Sequence, residues 1–79
     1  MNLEIITPDK TIYKGEADLV QLPGIDGSFE ILNNHAPLIS ALKEGKIKVN
    51  KTKGGSDDFY EIKGGVIEVL NNKVLILAE

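Results

Sequence analysis

LVQLPGIDGSFEILNNHAPLISALKEGKIKV, residues 19–49, shows the pattern on which the whole chain is built. A strand of Leu, Val and Leu runs into Pro23-Gly24, and a polar turn follows at Asp26-Gly27-Ser28. Phe29 to Leu32 is a short apolar run, which Asn33-Asn34 turn into His35-Ala36-Pro37-Leu38. Lys43-Glu44-Gly45-Lys46 then opens another strand. Short apolar runs divided by turn residues in this way predict a compact β fold with a shaped loop edge.

The flanking segments continue the pattern. Leu3 and Ile5 alternate with Glu4, and the run ends in a turn at Thr7-Pro8-Asp9-Lys10. Thr11-Ile12-Tyr13 is β-branched and aromatic, which suits a strand. From Glu16 to Leu22 the apolar residues Ala17, Leu19, Val20 and Leu22 break strict parity, predicting a bulge or two buried faces. Pro37 argues against a helix interior, so 36–42 reads as strand or irregular structure. Ile47 and Val49 alternate with Lys46, Lys48 and Asn50 as in a half-buried strand. KTKGGSDD, residues 51–58, is the longest polar stretch and predicts a mobile hairpin loop before the return strand at 59–63. Gly64-Gly65 break the pattern, and Asn71-Asn72 predict a tight hairpin between 66–70 and 74–78. Val74-Leu75-Ile76-Leu77 is apolar on both faces, as expected of a strand deep in a sandwich. No amphipathic helix of useful length interrupts these strands, so the fold class is all-β, a sandwich or flattened barrel.

Composition bounds the function. At 79 residues the chain is one domain, residues 1–79, with a thin stability margin because it buries only about 60% of its unfolded surface. Cysteine is absent, so neither disulfides nor a Cys-based metal site staples the fold. The net charge is −3 and all nine cationic residues are Lys. Without Arg, the residue suited to bidentate phosphate contact, the charges read as a solvated mixed surface and not as a nucleic-acid interface. No apolar run reaches the ~18 residues needed to span a bilayer, and MNLEIITPDK lacks the features of a signal peptide. Contact with a membrane is therefore expected only through a partner.

The candidate sites each carry a chemical and a bland reading. His35, the single His, could act as a general base; a structural hydrogen bond in a turn is the commoner role, and no nucleophile or carboxylate is placed beside it. One His and no Cys make a transition-metal site unexpected. Asp26-Gly27-Ser28 with Glu30 could suggest a cation loop, a solvated turn or an acidic partner-binding edge; the EF-hand spacing is missing. The glycines form neither GxGxxG nor a P-loop, so no phosphate cradle and no cofactor are expected. Lys51, Lys53, Asp57 and Asp58 read as loop solvation. Lys10, at a predicted hairpin tip, resembles the attachment site of biotinyl or lipoyl carrier domains, although it lies near the N-terminus and lacks their flanking residues.

Taken together, residues 19–49 and FYEIKGGVIEVLNNKVLILAE resemble the N-terminal domain of the bacterial F-type ATP synthase epsilon subunit. The features that carry the resemblance are Gly27, Ile31, His35-Ala36-Pro37-Leu38, Gly45, Gly64-Gly65 with Glu68-Val69, and Leu77-Ala78, in that order along essentially the whole chain. Glu30 stands where the family often has Gly, and Asn33-Asn34 where it has Pro-Gly; Asn tolerates the left-handed backbone such a turn needs. The resemblance implies two packed sheets of about ten short strands. It implies a non-catalytic central-stalk subunit that binds gamma, the c ring and the rest of F1, and so meets the cytoplasmic face of the bacterial membrane peripherally. Asp26, Gly27, Ser28 and Glu30 match the family's ring-facing loop, and Thr7, His35 and Ser40 its positions near gamma. The family's C-terminal helical hairpin does not follow Glu79, so the 79-residue chain is expected to bind no ATP and to impose no extended-helix inhibition.

Overall fold

A computed structural model describes residues 1–52 and 54–79. Lys53, in the loop read from KTKGGSDD, lies outside the described residues. The described chain is all β: β1 (Asn2–Ile6), β2 (Thr11–Glu16), β3 (Leu19–Gly24), β4 (Gly27–Leu32), β5 (Leu38–Leu42), β6 (Gly45–Asn50), β7 (Asp57–Ile62), β8 (Gly65–Leu70) and β9 (Lys73–Ala78). The strands number nine among the described residues, where about ten were expected.

Hydrogen bonds link them in the order β2-β1-β9-β8-β5-β3-β6-β7, with β4 on the other side of β3. The β5–β3 link is a single bridge, Gly24 to Leu42. It divides the path into two layers, β2-β1-β9-β8-β5 (the first sheet) and β4-β3-β6-β7 (the second). β3 is the corner: Leu19 to Gln21 pair with β6, and Gly24 turns to β5. Pro23, with no N–H to give a ladder, sits between those two pairings, and its carbonyl accepts the Lys43 amide at 2.8 Å.

The core lies between the layers and follows from period-two alternation. Leu3 and Ile5, Val20 and Leu22, Ile47 and Val49, Ile67 and Val69, and Val74 and Ile76 are buried in pairs two residues apart. Ile31, Met1, Ala17, Leu42, Ile62 and Ala78 join them in the core, and Ile12, Tyr13, Phe29, Leu38 and Tyr60 pack against it from the rim. Among the described residues no polar or charged residue is buried.

Two local expectations need correction. The broken parity of residues 16–22 is not a bulge: Ala17 belongs to the β2–β3 connection, where its amide donates to the Met1 carbonyl at 3.0 Å, and β3 itself alternates strictly. The irregularity lies instead in the β1–β2 register, at Ile5/Ile6. Nor is β9 covered on both faces. Val74 and Ile76 are buried, Leu75 is half-buried and Leu77 is 48% exposed. β9 is central within its sheet, between β1 and β8, but nothing in the described chain overlies the sheet's outer side.

Candidate partner-binding surfaces

The antiparallel and parallel registers send four of the eight connections to each end of the sandwich. One end gathers Thr7–Lys10, the β3–β4 turn, Lys43-Glu44, Lys63-Gly64 and Glu79. The other gathers Ala17-Asp18, the 33–37 loop, residues 51–52 and 54–56, and the Asn71-Asn72 hairpin.

At the first end, Gly24 pairs with Gly27 and leaves Ile25-Asp26 as a two-residue tip. The tip needs its glycine: a Cβ on Gly24 would lie 2.5 Å from the Gly27 carbonyl oxygen and 2.7 Å from the Phe29 ring. Ser28 pairs with Pro23 and Glu30 with Gln21, so both side chains share the outer face of the second sheet just behind the tip. The hairpin thus brings Asp26, Gly27, Ser28 and Glu30 together, all exposed. Lys43 and Lys63 share that end with them, so the edge carries both signs of charge.

Thr7, His35 and Ser40 are not brought together. Thr7 braces the β1–β2 turn: its amide donates to the Lys10 carbonyl at 2.8 Å, and its Oγ1 accepts the Lys10 amide at 3.1 Å. Lys10 is exposed, with its backbone committed to that turn. His35 stands exposed at the opposite end, and its Nδ1 donates to the Ala36 carbonyl oxygen at 2.7 Å, the structural role anticipated for a turn histidine. Ser40 lies midway along β5, half-buried and opposite Ile67. The three bound the first sheet, Thr7 beyond β1 at one corner and His35 before β5 at the other. No group of three or more His, Cys, Asp or Glu side chains among the described residues could hold a metal ion.

Two features escape sequence reasoning. The first is a polar knot at the His35 end. The N-terminal ammonium donates to the Ala17 carbonyl at 2.9 Å and to Asn33 Oδ1, and Asn33 Nδ2 approaches Asp18 Oδ1 at 3.4 Å. Asn34 adopts φ 63°, Asn71 51° and Asn72 58°, so the Asn-Asn pairs supply the left-handed turns without glycine. The doubled Asn was the available signal, but not what it would bond.

The second is the outer face of the first sheet. Across β1, β9, β8 and β5, register aligns Ile6, Leu77, Val66 and Ala41 in one row and Glu4, Leu75, Glu68 and Ile39 in the next. Ile39 is 73% exposed, and Leu70, Leu77 and Val66 between 42% and 50%. The two-sided apolar run 74–77 is the signal for it, and in the sequence alone it is indistinguishable from a strand buried on both faces.

Residues 1–79 match the family described as "ATP synthase, Delta/Epsilon chain, beta-sandwich domain". The chain is 44% identical to the ATP synthase epsilon chain of Chlorobium limicola over 77 residues, covering 98% of itself and 86% of that protein. It is 37% identical to that of Caulobacter vibrioides, covering 100% of itself and 90% of the relative. For the epsilon chain of Desulforamulus reducens the identity is 42%, with 98% of this chain and 57% of the relative covered. Among solved structures it superposes with TM-score 0.90 and 26% identity on a chain of the Euglena gracilis mitochondrial ATP synthase, OSCP/F1/c-ring in rotational state 1, covering 99% of itself and 49% of that chain. A chain of the Tetrahymena thermophila mitochondrial ATP synthase central stalk/c-ring shares the fold, with TM-score 0.83, 19% identity, and 98% and 61% coverage. The chain therefore belongs to the ATP synthase delta/epsilon beta-sandwich domain family, whose epsilon chain is a stalk subunit of the enzyme and not a catalytic one.

Proposed function

We propose that residues 1–79 act as one domain, a rotor subunit in the central stalk of an F-type ATP synthase that translocates protons or sodium ions. The subunit clamps gamma to the c ring and so helps couple ion flow to ATP synthesis at catalytic sites on other chains. The observation that carries this reading is the likeness along the whole chain to a chain solved within an F1/c-ring assembly. In this assignment the β3–β4 hairpin, with Asp26, Gly27, Ser28 and Glu30, faces the polar loops of the c ring. Thr7, His35 and Ser40 lie toward gamma. The subunit sits at the cytoplasmic face of the bacterial membrane and touches it only through the complex; no helix among the described residues is long and apolar enough to cross.

The test is reconstitution. F1 from the native host, stripped of its own epsilon chain, is mixed with this chain and with ring-containing membranes. The expected result is retention of the chain with gamma, tighter attachment of F1 to the membranes and recovery of ion-driven ATP synthesis. A chain that binds neither gamma nor the membrane-bound ring rejects the assignment.

A further inference from the structure

The hydrogen-bonded path of strands runs from β2 to β7 and curls until its two ends meet without joining. Tyr13 on β2 and Tyr60 on β7 stand with ring centroids 6.0 Å apart, tilted by 55°. The Lys51 ammonium lies 5.5 Å from the Tyr13 ring centroid and 3.5 Å from Asp58 Oδ2 of β7, so it bridges the two strands. Among the described residues no backbone hydrogen bond links β2 with β7. The opposite side of the sandwich is closed by backbone. There the Gly24–Leu42 bridge, the Lys43 amide on the Pro23 carbonyl (2.8 Å) and the Ile25 amide on the Ala41 carbonyl (3.3 Å) join the layers. At the His35 end the Ala17-Asp18 connection crosses from β2 to β3, and the Asp18 amide donates to the Asn50 carbonyl at 2.8 Å. From the tyrosine pair toward the Thr7–Lys10 end, side chains alone hold the described residues of the β2–β7 seam together.

We infer that this seam is a latch: the two layers part along it, turning on the backbone-bonded side, and Lys51 with the tyrosine pair holds it shut. Directly behind the rings lie two fully buried residues, Ile5 opposite Tyr13 and Ile47 opposite Tyr60. Parting the seam wets these two while the ladders within each sheet stay bonded, so it needs far less free energy than global unfolding. The contacts that oppose it are individually weak: a tilted aromatic pair, a cation over a ring and an ion pair open to solvent. Lys51 makes two of the three from one exposed side chain. Acylation of its amine removes the charge and both contacts, which makes Lys51 the point at which the latch is released. The latch belongs to the chain by itself and does not rest on the stalk assignment.

The chain has no Cys, so a single introduced thiol reports its own exposure. Ile47→Cys places it behind the seam, and Ile67→Cys places it on β8 opposite Ser40 of β5, on the backbone-bonded side; both isoleucines are fully buried. Labelling of each thiol by an aromatic disulfide is followed in rising, sub-denaturing urea. Without urea the thiol at Ile47 is expected to react on the order of 100-fold faster than the one at Ile67, at a rate that urea changes little. The thiol at Ile67 waits for global unfolding, so its rate should climb steeply with urea. Adding Lys51→Gln, which mimics the acylated side chain, is expected to speed labelling at Ile47 about three- to tenfold. Equal rates with the same urea dependence at both positions overturn the latch. Unequal rates that Lys51→Gln leaves unchanged overturn the role of Lys51. If either cysteine variant fails to fold by far-UV circular dichroism, the unsubstituted chain decides. Tyr13 and Tyr60 are its two tyrosines and Trp is absent, so the near-UV tyrosine signal reads the seam. On heating, that signal is expected to fade before the far-UV signal, and earlier still in Lys51→Gln; coincident transitions overturn the latch.

Discussion

The backbone amide of Asn34 donates to the Asn72 side-chain oxygen at 2.7 Å, tying the loop that presents His35 to the β8–β9 hairpin 38 residues away. Asn72 has two separate tasks, since it also holds φ 58° and offers its carbonyl to the Asn2 amide at 3.0 Å. Substitution separates them. Asn72→Gly keeps the left-handed backbone and loses the side-chain bond, a cost of about 1 kcal/mol. Asn72→Ala loses the bond and adds backbone strain, for about 2 kcal/mol in all. Urea unfolding should rank the three proteins wild type, Gly, Ala in falling stability; equal midpoints for Gly and Ala would show that the turn carries no strain.

Gly65 and Gly27 make a second contrast. At Gly65, φ is 152° and a Cβ would stand 2.2 Å from the Leu77 carbonyl oxygen and 3.1 Å from the Ala78 Cα, both backbone atoms that cannot yield. At Gly27, φ is 130° and nothing lies within 4 Å of the same Cβ. Gly27→Ala should therefore lose only backbone strain, about 1–3 kcal/mol. Gly65→Ala adds a collision between β8 and β9 and should consume most of a margin of about 4–12 kcal/mol for a domain of this length. Thermal unfolding checks both: a cooperative transition at reduced temperature for Gly27→Ala, and little or none for Gly65→Ala.

Tyr13 gives the fold a limit at high pH. Its phenol pKa is raised, first by desolvation against the rim of the core and then by the nearby charges of Tyr60, Asp58 and Glu16, with Lys51 opposing. Its hydroxyl donates to the Glu16 carbonyl at 2.7 Å, a bond that only the neutral phenol can make. A folded pKa above the unfolded value near 10 means that the unfolded chain loses its proton first. Stability is then full below about pH 10 and falls as pH rises through the folded pKa. Tyr13→Phe should begin less stable, for want of the hydrogen bond, and show a shallower decline above pH 10. Parallel declines for the two proteins, followed by urea titration from pH 8 to 11, would assign the effect to other groups.

How much of this was legible in the sequence depends on how local the cause is. Leu3 and Ile5, Ile47 and Val49, and Val74 and Ile76 announce their buried face by alternation alone. Asn71-Asn72 likewise announce a hairpin, because left-handed tolerance is a property of the residue. The parallel pairing of β1 with β9, which joins the two ends of the chain, has no local signature. Neither does the Asn34–Asn72 bond. Leu75 and Leu77 failed for a different reason: an apolar side chain meant for the chain's own core and one left for another surface look the same in one dimension. The Asp26 hairpin was legible as a group because its residues are contiguous. The spread of Thr7, His35 and Ser40 around the first sheet was not, because it depends on the strand order.

His35 tests the gamma-facing assignment with little risk to the fold: it is exposed, and among the described residues its side chain bonds only to the adjacent Ala36 carbonyl. A bulky maleimide on Cys substituted at His35 should block binding of gamma. The same label on Cys at Ser56, exposed in the connection between β6 and β7, should leave binding intact. Co-purification with gamma reads the result. Equal binding by the two labelled proteins removes His35 from the interface.

Asp26 tests the opposite end. It stands at the exposed tip between Gly24 and Gly27, so a change of side chain there perturbs no packing. If the tip meets basic groups in the polar loops of the c ring, Asp26→Lys replaces attraction by repulsion at the rim of the contact. A solvated pair of this kind contributes about 0–1 kcal/mol, so the variant should bind a few-fold to about tenfold more weakly, not fail outright. Screening gives the diagnostic. The Debye length is about 30 Å at 0.01 M salt and about 8 Å at 0.15 M, so the defect should be plain at the lower ionic strength and shrink at the higher. Glu16→Lys makes the same charge change on β2 at the far end of the sandwich and controls for net charge. Co-sedimentation with ring-containing membranes at the two salt concentrations should separate Asp26→Lys from both wild type and Glu16→Lys. Indistinguishable binding of all three at low salt would take the hairpin away from the ring.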